Sequence, residues 1–336
     1  MAKKNIPPPA ELSREELSLF IERASDPDTH FVVSLGSGAM LALASGLSIL
    51  DGIGRLGLRK HIDEVWGVSS GAMAAGLWCS GTPVERVMEM LRGLRRMDLV
   101  DVAWRHILKG LATRKWDGDF IDGALNGNAL HRRIKKQLAC ERVEETEVPL
   151  RILLAHDDGT ARLKVVKAGN LADAIRCSTA MQAVFRPGTF EGERYVDPTM
   201  LEKTPLPSII NDYDASGNQK KLLILACFFG YHGQEKPIKG LTSRLFFFKE
   251  VLQYQVFLAH LTSAMNRPNT EVIVYSPCIH DVPTLAVEQA DQIFWEVREQ
   301  MALRFNNRYL EADPRESDPD FWVPRWCPTQ WKKQDK

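Results

Sequence analysis

The segment Gly67-Val68-Ser69-Ser70-Gly71 spells G-x-S-x-G. A short strand-like run, Glu64-Val65-Trp66, precedes it, and a run of small helix formers, Ala72 to Trp78, follows. That spacing suits one chemistry. A serine hydroxyl is presented for attack on a carbonyl when the chain turns sharply from strand to helix, and the turn closes only if its flanking residues are small. Ser69 is therefore the candidate nucleophile of an acyl transfer, and Gly67 and Gly71 are the residues that let the elbow form. Ser70 becomes the first helical residue, its N–H placed for an oxyanion and its hydroxyl for a cap.

A serine is inert near neutral pH without a base. His232, His260 and His280 lie late enough in the chain for the order Ser…Asp…His of the α/β-hydrolases. Asp197 offers the other class, a carboxylate acting directly, since it ends the strand-like run Arg194-Tyr195-Val196 and precedes Pro198-Thr199. The residues alone leave both classes open. Gly36-Ser37-Gly38 follows the apolar run Phe31 to Leu35 and can turn its N–H groups outward as an anion site at a helix start. A dinucleotide fingerprint needs a third glycine at position 41, where Leu41 stands, and Asp51 falls within the following helix–turn. An oxyanion hole fits the loop better than a nicotinamide cofactor, and no cofactor is expected. No Cys or His cluster has the spacing of a metal site.

The elements that must position these groups can be read in order. Helical periodicity covers 11–24, where Ser13 and Glu16 fit a capping box. Strands are expected at 31–35, 64–66, 148–155, 161–166, 194–196, 221–227 and 271–275, and helices at 39–50, 72–78, 172–180, 245–265 and 285–305. Residues 83–137 read as helical and basic. The strand–Gly turn–helix unit occurs twice before residue 80, which favours a parallel sheet covered by helices, with both Gly turns on one sheet edge. The expected organisation is an N-terminal arm and helix over 1–27, one α/β domain over 28–305, and a tail over 306–336 carrying Trp322, Trp326 and Trp331.

Taken together, these pieces resemble the patatin-like phospholipase family. The glycine-rich oxyanion loop of that family is similar to Gly36-Ser37-Gly38-Ala39-Met40, and its elbow to Gly67–Gly71. Its A-x-x-A-S-x-A-x-P segment resembles Ala174-Ile175-Arg176-Cys177-Ser178-Thr179-Ala180-Met181-Gln182, and its D-G-[GA] motif resembles Asp197-Pro198-Thr199. The resemblance covers roughly 30–305. It implies a three-layer α/β sandwich with a mainly parallel central sheet and helices on both faces. It also implies a Ser69–Asp197 dyad without a catalytic histidine, backbone N–H groups of Gly36, Ser37 and Gly38 at the oxyanion, and a lipid acyl hydrolase of phospholipase A or lysophospholipase type. A soluble esterase or thioesterase on the same dyad, and a lipid-binding pseudoenzyme, are the competing readings. Three residues depart from the family pattern. Ser37 replaces a glycine, so a positive φ there would be strained. Met40 replaces a cation, removing a contact of about 1.5–3 kcal/mol to a charged group. Pro198 replaces a glycine, drawing Asp197 towards extended backbone and deleting one N–H.

Composition bounds the partners. Among 336 residues, 43 Lys+Arg balance 43 Asp+Glu, which argues against a nucleic-acid binder relying on a global positive field. A content of 44% hydrophobic and 26% charged residues fits a globular chain with a sizeable core. The scattered cysteines, Cys227 at the end of an apolar run among them, suit a reducing compartment. The start of the chain lacks the apolar run of a secretory signal, and no apolar stretch reaches the length of about 18 residues that spans a bilayer. The expected location is cytoplasmic or peripheral to a membrane, with export lacking a cleaved signal also compatible. The expected partners are a lipid substrate and a transient membrane surface, and nothing in the sequence sets an oligomeric state. The neutral total is a sum over an uneven chain. A basic, aromatic stretch at 92–116 is offset by acidic segments at 141–147 and 311–320. That stretch suits an anionic membrane surface, or else turns its apolar face to the core. Leu245-Phe246-Phe247-Phe248 is a second apolar candidate with the same two readings.

Overall fold

The computed structural model describes residues 14–94, 101–103, 123–182, 184–230, 240–277, 279 and 287–304. In chain order the elements are α1 (Arg14–Ser25), β1 (Thr29–Leu35), α2 (Ala39–Arg55), β2 (Glu64–Gly67), α3 (Ser70–Cys79) and α4 (Val84–Arg92). Then come α5 (Asn128–Gln137), β3 (Leu150–His156), β4 (Leu163–Val166), α6 (Leu171–Ser178), β5 (Gly188–Phe190) and β6 (Glu193–Val196). The last are α7 (Leu206–Ala215), β7 (Lys221–Cys227), α8 (Gly240–Met265), β8 (Thr270–Tyr275) and α9 (Ala290–Arg304).

Two strands that are apolar on both sides explain the layers. Successive side chains of a strand point to opposite faces. In β1, Phe31, Val33 and Leu35 enter one core while Val32 enters another. In β7, Leu223, Leu225 and Cys227 join the first core, and Leu222, Ile224 and Ala226 the second. Such strands must be covered on both faces, as parallel sheets are. The first core packs against α2, α3 and α9, and the second against Leu206, Ile209 and Tyr213 of α7 and Phe257 and Leu261 of α8. The described strands form one eight-stranded sheet, in the order β5-β6-β3-β2-β1-β7-β8 with β4 paired to β3. β3, β2, β1, β7 and β8 run parallel to their neighbours in that series, while β4 and β6 are antiparallel to β3 and β5 to β6. This is a mixed α/β fold with a mostly parallel central sheet and helices on both faces.

Register places the site. Leu35 at the end of β1 pairs with Gly67 at the end of β2 and Cys227 at the end of β7. The loops after these strands therefore leave from one sheet edge. Small residues then draw the two following helices together: a Cβ on Gly46 of α2 would stand 3.1 Å from Ala74 Cβ of α3, and one on Gly76 would stand 2.5 Å from Ile175 Cδ1 of α6.

The structure differs from the sequence expectation in several places. β5 and α7 are additional elements, and α2 continues five residues beyond Leu50 to Arg55. Residues 83–137 are not helical throughout, because Val102 and Leu125 form an antiparallel bridge and Leu125 a parallel one with Phe185. Most of the basic stretch at 92–116, the arm at 1–10 and the Trp-bearing tail at 306–336 lie outside the described residues. No described helix is long and apolar enough to cross a membrane. The free cysteines Cys79, Cys177 and Cys227 are buried. Burial raises all three thiols, Cys177 to about 12, so they pack as small apolar groups rather than thiolates.

Candidate active site

Ser69 sits at the turn between β2 and α3 with φ 56 and ψ −124, a conformation that costs a non-glycine residue about 1–3 kcal/mol. The surrounding contacts hold it there. Val68 N–H donates to Leu35 O at 3.1 Å, tying the elbow to the end of β1. Ser69 N–H donates to Ser178 Oγ at 2.9 Å, and the Ser178 hydroxyl donates to Leu153 O at 2.9 Å. Ser178 is fully buried, so a single side chain links the elbow to β3. The two elbow glycines are required by crowding. A Cβ on Gly67 would lie 2.4 Å from Ala72 Cα, and one on Gly71 would lie 2.4 Å from both Leu35 O and Gly36 O. These neighbours are backbone and cannot rotate away. Gly71→Ala is therefore expected to destabilise the fold by about 3 kcal/mol or more. Urea unfolding checks this, and an unchanged midpoint would refute the elbow packing.

Asp197 follows β6 and is 3% exposed. Its backbone is anchored twice: its N–H donates to Ala180 O at 3.0 Å, and Gln182 Nε2 donates to its carbonyl at 2.7 Å. Its carboxylate accepts hydrogen bonds from the Thr199 N–H, at 2.9 Å, and from the Thr199 hydroxyl, and the Ser69 side chain lies close enough to lower the carboxyl. Burial raises the Asp197 carboxyl above its ordinary value, against the opposing effect of these neighbours and of the Lys249 charge. Pro198 fits because Asp197 caps the short 3-10 helix Pro198–Met200 and the proline occupies its first position, where an N–H would have no intrahelical acceptor. The Asp197 backbone is extended, at φ −60 and ψ 123, as a following proline favours.

The loop after β1 departs from the expectation that three amides face an oxyanion. Gly36 N–H donates to Cys227 O at 3.0 Å and Ser37 N–H to Lys203 O at 2.9 Å. These two amides fasten the loop to its neighbours. Gly38 N–H makes a long contact of 3.3 Å with Ser70 Oγ, across from the elbow. Ala39 and Ser70 open α2 and α3, where N–H groups have no intrahelical partner. Gly36 and Gly38 are needed for space: a Cβ would stand 2.8 Å from Cys227 O in the first case and 2.7 Å from Phe229 Cβ in the second. Positive φ occurs at Ala39, at 52, and not at Ser37, so Ser37 replaces a glycine without backbone strain. Met40, in the first turn of α2, is buried in the core and presents no charge there.

The structure thus brings together Ser69, Asp197 and the Gly36–Gly38 loop. His260, half-buried on α8 with its imidazole held below its ordinary value by burial, is not among the described partners of either Ser69 or Asp197. His232 and His280 lie outside the described residues. The motifs at 174–182 and 197–199 contained Gln182 and Thr199 but gave them no role; Thr199 bonds Asp197 from two residues away, whereas Gln182 and Lys249 reach it only through the fold. Ser178 carried a signal, since it is the serine of the A-x-x-A-S segment. Among the described residues no cluster of His, Cys, Asp and Glu is disposed to hold a metal.

A sequence model of the family described as patatin-like phospholipase matches residues 33–210, which include the loop, the elbow and Asp197. Among solved structures, VipD from Legionella pneumophila is 15% identical, with 82% of this chain and 66% of that chain covered at a TM-score of 0.42. ExoU from the type III secretion system of Pseudomonas aeruginosa, solved in complex with SpcU, is 14% identical, with 86% and 54% covered at a TM-score of 0.36. Human GIVD cytosolic phospholipase A2, in complex with methyl gamma-linolenyl fluorophosphonate, is 14% identical, with 58% and 32% covered at a TM-score of 0.28. The chain spans just under two thirds of the length of VipD and about half that of ExoU.

Proposed function

This chain belongs to the patatin-like phospholipase family, and we propose that it hydrolyses carboxylic esters of phospholipids or lysophospholipids through a Ser69–Asp197 dyad and an acyl-enzyme. One observation carries the proposal: a serine on a strained strand–helix elbow stands close enough to a buried carboxylate for its side chain to lower that carboxyl. In this reading Asp197 takes the proton as Ser69 Oγ attacks the ester carbonyl. The tetrahedral oxyanion accepts N–H bonds from Gly38, Ala39 and Ser70, the amides that the fold has not committed to carbonyls. Collapse breaks the ester C–O bond, and the leaving alkoxide takes the proton from Asp197 to depart as an alcohol. Water then attacks the acyl group, Asp197 again accepts a proton, and collapse returns it to Ser69 and releases the fatty acid.

Met40 favours a second reading. With an apolar, buried side chain at the family's cation position, no charge stands there to meet a phosphate, and neutral esters of soluble alcohols or thiols become substrates of the same dyad. Hydrolysis of phospholipid vesicles compared with soluble p-nitrophenyl esters separates the two. Activity confined to the soluble esters would defeat the phospholipid assignment. A fluorophosphonate probe tests the hydrolase class itself. Covalent labelling is expected in the wild type and absent in Ser69→Ala, and a folded wild type that resists the probe would be a pseudoenzyme.

A further inference from the structure

α8 carries two apolar faces, and only one is used by the core. Phe257, Leu261 and Ala264 are buried against the sheet, with Gln253 buried beside them. Leu245, Phe248 and Leu252 recur at i, i+3 and i+7 on another face and are 61%, 60% and 60% exposed. At 3.6 residues per turn, Arg244 borders this stripe on one side and Lys249 on the other. Glu250, the sole acidic residue of α8 in the sequence, falls on the side away from the stripe. An apolar stripe flanked by cations with long apolar stems, and without an acid on it, matches an anionic lipid surface: the rings and branched chains enter the acyl boundary while the cations reach headgroups.

α8 also adjoins the candidate site. Gln253 Nε2 contacts Met200 Sδ at 3.5 Å, and Met200, 44% exposed, ends the turn that Asp197 caps. Lys249 is close enough for its charge to lower the Asp197 carboxyl. A lipid aggregate held on α8 would therefore lie beside the dyad. We propose that the Leu245–Phe248–Leu252 face of α8 docks the protein on anionic lipid surfaces and delivers the substrate ester to Ser69; the delivery step rests on the hydrolase reading above, and the docking step does not.

Flotation of the full chain with phosphatidylcholine vesicles containing about 30 mol% phosphatidylglycerol tests the docking, measured in the Ser69→Ala background so that turnover plays no part. Replacing Leu245, Phe248 and Leu252 together with Ser is expected to lower vesicle partitioning at least about tenfold, and Arg244→Gln to weaken it less. With Ser69 intact, the triple variant should retain its hydrolysis of soluble p-nitrophenyl esters. A triple variant that partitions like the parent, or a parent that does not bind these vesicles, overturns the proposal. So does a dimer that the triple substitution dissociates, since the face would then belong to a second copy. If partitioning falls as expected but no ester is hydrolysed by the wild type, docking stands and the hydrolase reading fails. If soluble esters are hydrolysed while partitioning is unaffected, the reverse holds.

Discussion

Ser69→Ala is expected to lower ester hydrolysis by about 10⁵–10⁶-fold, to the level supported by substrate binding and the remaining amides alone. The same site makes a second, independent test. Ser69 holds φ 56 and ψ −124, and alanine would keep that strain because its Cβ meets the same backbone limits. Glycine would not. Ser69→Gly should therefore be as inactive as Ser69→Ala yet more stable by about 1 kcal/mol. That ordering inverts the usual cost of glycine at the start of a helix. Initial rates on p-nitrophenyl esters and urea midpoints for the three proteins decide it. If Ser69→Ala keeps more than a trace of wild-type rate, Ser69 is not the nucleophile; if alanine is the more stable of the two variants, the elbow is not strained.

The fold was legible where hydrophobic pattern and burial coincide. The strand expected at 221–227 matches β7 residue for residue, and those at 31–35 and 271–275 extend by only a residue or two, because parallel strands buried on both faces read as unbroken apolar runs. β5 was not legible: Gly188-Thr189-Phe190 has no pattern of its own and becomes a strand only by pairing with β6. The bridges of Val102 and Leu125 likewise depend on partners far along the chain. At the site, the residues that make special geometry were readable one at a time, since glycine, serine and proline each restrict or free the backbone in a known way. What each backbone N–H does was not readable. Gly36 and Ser37 look like oxyanion donors until Cys227 and Lys203 arrive to accept their protons, and those carbonyls lie well over a hundred residues away. The strain expected at Ser37 falls instead on Ala39, because it is the turn into α2 that needs the positive φ. The role of the stripe on α8 follows the same logic, since sequence offered Leu245–Phe248 as core or surface and the packing of Phe257 and Leu261 used the other face.

Asp197→Asn should separate catalysis from stability and show them moving in opposite directions. Asparagine keeps an acceptor for the Thr199 N–H at 2.9 Å and fills the same volume, but it cannot take the Ser69 proton. Hydrolysis should fall by about 10⁴-fold or more. Stability should rise on the alkaline side, and the sign follows from the carboxyl. Burial raises it in the folded protein above its unfolded value. The contribution that this shift makes to folding is fully present below the unfolded value and is lost as pH rises through the folded one. At a pH above the folded value, where the group can act as a base, the wild type therefore carries an ionised carboxylate in a site that favours the neutral form, a burden the asparagine lacks. Over a pH series the melting temperature of Asp197→Asn should exceed that of the wild type most on the alkaline side, and the difference should shrink on acidification as the wild-type carboxyl protonates. The same shift governs rate. A general base must be ionised, so kcat/KM of the wild type should decline with falling pH at a higher pH than an exposed aspartate would give. Lys249→Gln, which removes a charge that lowers the carboxyl, should move that acid limb higher still. An acid limb at the ordinary carboxylate position, together with an Asn variant no more stable than wild type on the alkaline side, would mean that Asp197 is neither the desolvated group nor the base.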